Sequence, residues 1–115
     1  MSALQFINGV LPVDPDNART PLPEMVEEQT RKIFANLERE LGRAGLDRRS
    51  VVAVYVHMRD LKRLYERMDA AYSEFFSGQG APTRSCIGVA ELPRGALVQM
   101  DFVIRAASGN PAAPR

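Results

Sequence analysis

Residues able to do chemistry gather toward the end of this chain. Arg84, Ser85 and Cys86 follow Ala81-Pro82-Thr83, and Gln99 and Asp101 stand inside a later apolar run. The planar fork of an arginine fits a carboxylate with two parallel N–H bonds. Residue type alone also allows Arg84 to be an ordinary surface arginine. Cys86, two residues on, shares Arg84's face of a strand, where a guanidinium could lower its pKa. No base accompanies it by spacing, and a small buried residue is the simpler reading. Ser85 likewise has no base that would make it a nucleophile. Asp101 shares a strand face with Gln99 and is the member of that pair able to accept a proton.

Other candidates carry less. His57 is the one histidine, and one His with one Cys makes no zinc site. It reads as a strand histidine with its hydrogen bonds satisfied. Asp14, Asp16 and Asn17 lack the later glycine and glutamate of a calcium loop. No glycine pattern cradles a phosphate. Neither a metal nor a cofactor is called for. Tyr65, Tyr72, Phe75 and Phe76 fall at helical spacing and read as core, not as a base-stacking platform.

The elements that must position these residues follow from periodicity. Ala3 to Val10 is mildly apolar and reads as a strand. Pro12, Asp14, Pro15, Asp16, Asn17, Pro21 and Pro23 then mark a long loop. Val26, Thr30, Ile33, Leu37 and Leu41 recur at spacings of three and four, which predicts a helix from about Pro23 to Arg43, stopped by Gly42 and Gly45. Val51 to Met58 is apolar on both faces and β-branched, so it is expected at the centre of a sheet, covered on both sides. A second helix is predicted from about Leu61 to Phe76, with Asp60 as N-cap and Gly78 as stop; its stripe is Leu61, Leu64, Met68, Ala71, Tyr72 and Phe75. The two runs flanking Leu92-Pro93-Arg94-Gly95 read as a closing hairpin. On its second strand Ala96, Val98, Met100, Phe102 and Ile104 share the core face. Leu97, Gln99, Asp101, Val103 and Arg105 share a mixed face, suited to a cleft or a subunit contact.

The expected fold class is α+β: a small mixed sheet with two helices on one face. At 115 residues the chain makes one domain, expected over 1–107, with 108–115 a frayed tail. The uncovered sheet face calls for oligomerisation. A net charge of +1 favours neither nucleic acid nor an anionic membrane. A single cysteine excludes an internal disulfide and suits a reducing compartment. No apolar run is long enough to span a membrane, and the first residues do not read as a signal peptide, so a cytoplasmic protein is expected.

Several stretches, in order, resemble the Rid (YjgF-like) family of enamine/imine deaminases. Asn8-Gly9-Val10-Leu11-Pro12-Val13-Asp14-Pro15 is similar to the family's Ser-Gly-Gln-Ile-Pro-x-Asp-Pro. Glu28-Gln29-Thr30-Arg31, with Asn36-Leu37 and Ala44-Gly45-Leu46, is similar to its first helix and exit. Asp69-Ala70-Ala71-Tyr72-Ser73-Glu74-Phe75-Phe76 is similar to its second helix. Pro82 to Val98 is similar to its Pro-x-Arg-Ser segment and Leu-Pro-x-Gly-Ala turn.

The resemblance spans residues 4–107 and implies a chorismate-mutase-like α+β unit, assembled as a trimer with sites between subunits. It implies that Arg84 binds a substrate carboxylate and that Ser85 and Cys86 line the pocket. It puts Gln99 at the position of the glutamate that activates water, Asp69 at that of a site asparagine, and Asn8 at that of a serine. The family's first strand, with its Gly-Pro-Tyr motif, has no counterpart, as in a shortened, divergent member or a chain whose start was assigned late. The implied activity is hydrolysis of a reactive enamine or imine to a 2-oxo acid and ammonia, or a related small-molecule step. A non-catalytic 2-oxo acid or metabolite-binding protein is the alternative. RNA cleavage, credited to some relatives, fits the near-neutral charge least. Gln99 can hold a water but cannot take its proton, which leaves Asp101 as a substitute base.

Overall fold

The apolar periodicities resolve into four strands and two helices in a computed structural model that describes residues 2–78 and 80–107. In chain order these are β1 (Ser2–Val10), α1 (Val26–Arg43), β2 (Val51–Met58), α2 (Leu61–Phe75), β3 (Thr83–Gly88) and β4 (Val98–Ala107). They form one mixed sheet in the order β1-β4-β2-β3. β4 pairs antiparallel with both β1 and β2, and β2 pairs parallel with β3. The expected tail, 108–115, lies outside the described residues.

The expected closing hairpin is not formed. β3 and β4 lie on opposite sides of β2. The segment 89–97 is too long for a tight hairpin loop. It crosses the end of β2, where the Val89 N–H donates to the Met58 carbonyl at 2.8 Å and the Arg59 N–H to the Leu97 carbonyl at 3.0 Å. Alternation predicts the strands, but it carries no information on which neighbour each will choose.

α1 starts three residues later than predicted. Pro21 and Pro23 hold the approach extended. The Pro23 carbonyl accepts the Gln29 side-chain amide at 2.7 Å, and the Leu97 N–H donates to Gln29 Oε1 at 2.8 Å. The buried Gln29 therefore ties the helix start to the crossing segment. At the other end Gly45 is left-handed, and the Leu46 N–H closes on the Leu41 carbonyl at 2.8 Å. Asp60 occupies the N-cap position of α2 but makes no side-chain cap. Its own backbone is left-handed, and its carboxylate turns to Arg63 at 2.7 Å.

Both helices cover one sheet face. Ile33, Leu37 and Leu41 of α1 and Leu64 and Met68 of α2 bury against Val54, Val56 and Met58 of β2 and Val98, Met100, Phe102 and Ile104 of β4. Phe34 and Phe75 stack across the two helices with centroids 4.2 Å apart. The opposite face is open, so within one chain β2 is covered on one side and the expected second cover has to come from elsewhere. Tyr55 of β2 is 47% exposed and Phe6 of β1 is 65% exposed, with Leu4 and Ile87 also outward. Among the described residues no helix is long and apolar enough to cross a membrane.

Candidate functional site

Arg84 lies on the edge strand β3, in register with Val54 of β2. Partners across a parallel pair face the same way, so Arg84 turns to the helix side of the sheet. There α2 presents Tyr65, Asp69 and Tyr72, at the i, i+4, i+7 spacing that stacks side chains on one helix face. An Arg84 Nη1 donates to Asp69 Oδ1 at 2.6 Å, and Nη2 donates to the Tyr65 hydroxyl. The guanidinium carbon sits 4.6 Å from the centre of the Tyr72 ring. Of a guanidinium's five N–H donors, two are used in this way; the others have no protein partner among the described residues. Burial works against the charge of Arg84, but the bond to Asp69 and the surrounding oxygens hold its pKa above the ordinary value.

The same neighbourhood sets two other groups. Burial pushes the Tyr72 hydroxyl up to about 12, with Asp69 adding to the rise and Arg84 opposing it. That hydroxyl is buried without a partner among the described residues. Burial also raises the pKa of the Cys86 thiol, more than the nearby Arg84 lowers it. Cys86 faces the core beside Val56, so it is a half-buried packing residue and not an activated thiolate.

Asp69 limits what Arg84 can take. A carboxylate seated on the spare donors would lie within roughly 5 Å of the Asp69 carboxylate, where like charges near a protein surface repel by about 3 kcal/mol before salt screening. A ligand carrying a cationic nitrogen beside its carboxylate would satisfy both partners.

A second cluster forms on the open face. Gln99 pairs with His57 of β2, and Asp101 pairs with Tyr55. β1 is irregular between Ile7 and Val10, where Asn8 and Gly9 approach β4. The Gly9 N–H donates to Asp101 Oδ1 at 2.6 Å. A Cβ at Gly9 would stand 3.5 Å from Gln99 Nε2, and Gly9 is left-handed. Asp101 therefore pins the β1 irregularity through one of its two carboxylate oxygens. Ser85 points to this same open face, in register with Tyr55.

The seven residues singled out from the sequence thus divide. Arg84, Cys86 and Asp69 lie on the helix side; Asn8, Ser85, Gln99 and Asp101 lie on the open side. Within one chain the two sets touch at one small cleft on the sheet edge, where Arg84 of the first and Ser85 of the second line the same wall. The cleft at Arg84, lined by Ala53, Val54, Tyr55, Thr83, Arg84 and Ser85, holds about 160 Å³, below the roughly 300 Å³ of a usual ligand pocket. A larger groove of about 320 Å³ between 10–15 and α1 holds none of the seven. Among the described residues no three His, Cys, Asp or Glu side chains gather as a metal site.

Sequence reasoning missed three participants. Tyr65 and Tyr72 were read as core only; their spacing around Asp69 was the available signal. His57 was expected to have its hydrogen bonds satisfied. Its Nδ1 is instead buried without a partner among the described residues.

Comparisons with known proteins agree with this fold. Residues 2–106 match the family described as endoribonuclease L-PSP. A RutC family protein of Pyrococcus abyssi is 32% identical over 98 residues, covering 85% of this chain and 75% of that protein. The solved structure of E. coli TdcF with bound serine aligns with a TM-score of 0.80 at 27% identity, covering 90% of this chain and 81% of that one. A conserved Rid-family protein, YyfA of Yersinia pestis, aligns with a TM-score of 0.82 at 25% identity, covering 90% and 80%.

Proposed function

The chain belongs to the endoribonuclease L-PSP family, the YjgF/Rid proteins, and from that premise we propose that it hydrolyses a reactive enamine or imine acid to a 2-oxo acid and ammonia. The working unit in this reading is a cytoplasmic homotrimer. The helix-side cluster of one subunit meets the open-face cluster of the next, and Arg84 takes the carboxylate. A water held at Gln99 adds to the C=N carbon. The nitrogen takes up a proton, the C–N bond breaks, and the carbonyl forms. The supporting observation is Arg84 itself, a guanidinium fixed by Asp69, Tyr65 and Tyr72 with donors to spare. The apolar open face, with Leu4, Phe6, Tyr55 and Ile87 outward, suits burial against another copy.

The test is an assay on imino acids released in situ from amino acids by an amino-acid oxidase. Hydrolysis faster than the spontaneous rate, lost in Arg84→Ala, supports the reading. A second reading, a non-catalytic binder of small carboxylates, is favoured by one observation: Gln99 cannot accept a proton, and Asp101 already holds the Gly9 N–H. Binding of 2-oxo acids without turnover of any imine would establish it. RNA cleavage, which the family's description names, fits poorly. The net charge is +1, and eight ion pairs tie arginines to carboxylates among the described residues, which weakens the positive field that phosphates would need.

A further inference from the structure

We propose that His57 is the proton-transfer residue of the open-face cluster, doing what the Gln99 side chain cannot. The inference rests on the imine-hydrolysis reading above. His57 stands on β2 between Gln99 of β4 and Ile87 of β3. Directly paired residues on one face of antiparallel strands have Cβ atoms about 4.5–5.5 Å apart. A water bonded to the Gln99 amide is therefore within reach of the imidazole. His57 Nδ1 is buried and has no partner among the described residues. A buried ring nitrogen in that state calls for a water or a ligand group.

The other groups on this face do not supply the function. Gln99 has no titratable proton. Asp101 is turned toward β1 by the Gly9 N–H on its Oδ1 at 2.6 Å, and across β2 it pairs with Tyr55, two residues along the strand from the Gln99–His57 pair. Tyr55 is a phenol and a poor base near neutrality. Arg59, just past the end of β2, donates to the Gly95 carbonyl at 3.3 Å. β3 contributes Ser85 and Ile87, and β1 contributes Asn8 and Gly9, none of them charged. An imidazole is the side chain that takes and returns a proton near neutral pH.

The step balances as follows. The water oxygen bonds to the carbon of a protonated imine while its proton passes to His57, and the C=N pair moves onto nitrogen. The imidazolium then gives that proton to the amine nitrogen. As the C–N bond breaks, the hydroxyl proton returns to His57 and the carbonyl forms. Ammonia leaves and collects the proton through solvent, so one protonated imine and one water give one 2-oxo acid and one ammonium.

Because the chain holds a single histidine, ring-labelled protein gives one imidazole signal without assignment. Titrating pyruvate into the wild-type oligomer is expected to shift that signal, and Arg84→Ala is expected to abolish the shift. His57→Gln and His57→Phe are expected to keep oligomeric state and pyruvate affinity while losing about 10²–10⁴-fold in imine hydrolysis. The pH–rate limb due to His57 in wild type should vanish in both. Variants that assemble and keep the rate within a few-fold overturn the proposal alone. So does an imidazole signal indifferent to saturating pyruvate, which stays decisive even where the variants fail to fold. A wild type inert on every imine overturns the hydrolysis reading and His57's role with it, while bound pyruvate would still leave Arg84 its ligand site.

Discussion

The two clusters differ in how completely they are built. Around Arg84 the partners are in place: Asp69, the Tyr65 hydroxyl and the Tyr72 face hold the guanidinium before any ligand arrives. Around Gln99 the backbone is fixed by the bond from Gly9 to Asp101, but the groups that would meet a reacting water are not held by protein. One cluster is a preorganised charge; the other is a polar, partly unsatisfied surface. The difference teaches that an anion site and a proton-transfer site would be separable in this chain, because they are built on opposite faces of the sheet.

The largest effect should come from removing the charge. Arg84→Ala is expected to weaken 2-oxo acid binding by about 2–4 kcal/mol, because it also leaves Asp69 without its partner; titration calorimetry reads this directly. Unchanged affinity would erase the contrast between the clusters. Gln99→Glu should leave that affinity alone and raise imine hydrolysis by about 10–10²-fold, below the full range of positioned acid–base catalysis, because no ordered partner yet orients the new carboxylate. A parallel loss of affinity in the steady-state and calorimetric data would mean the clusters are not separable.

Asp69→Asn sharpens the electrostatic side. Removing the negative charge beside Arg84 should raise affinity for a 2-oxo acid by about tenfold, the order of a screened like-charge contact, and lower affinity for an amino acid of the same skeleton. A change of the same sign for both ligands would show that Asp69 does not read ligand charge.

The smallest effect concerns Tyr72. Its hydroxyl is held protonated up to about 12 by burial, while an unfolded tyrosine ionises near pH 10. Above that value the unfolded chain sheds a proton that the folded chain keeps. The stability contributed by the protonated phenol is thus present below about pH 10 and lost as pH rises toward 12. Thermal unfolding across that window should fall less steeply in Tyr72→Phe than in wild type. Equal slopes would place the phenol in solvent.

Much of this organisation was legible in the sequence, and the exceptions share a cause. The stripe Val26, Thr30, Ile33, Leu37 and Leu41 and the alternation from Ala96 to Ile104 gave the buried faces correctly, because periodicity reports what a side chain faces. The pairing of β3 with β2, and not with β4, was not legible, because it depends on where the segment 89–97 crosses. The start of α1 depended on Gln29 reaching Pro23 and Leu97, the second of them distant in sequence. At the site, family motifs pointed to Arg84, Asp69 and Gln99 but not to their division between two sheet faces. The unpartnered His57 nitrogen was hidden, since an isolated histidine in a strand says nothing of its neighbours.

The proposed reading turns on that division between faces: in it, the helix-side cluster of one subunit is completed by the open-face cluster of another. Subunit mixing tests it most directly. Arg84→Ala and Gln99→Ala are each expected to be inactive alone. Unfolded together and refolded as mixed trimers, they should recover about a quarter of the wild-type imine-hydrolysis rate, since cyclic assembly leaves that share of interfaces with both residues intact. Mixed trimers, confirmed by native mass spectrometry, that remain as inactive as their parents would contradict it and place the site within a single chain.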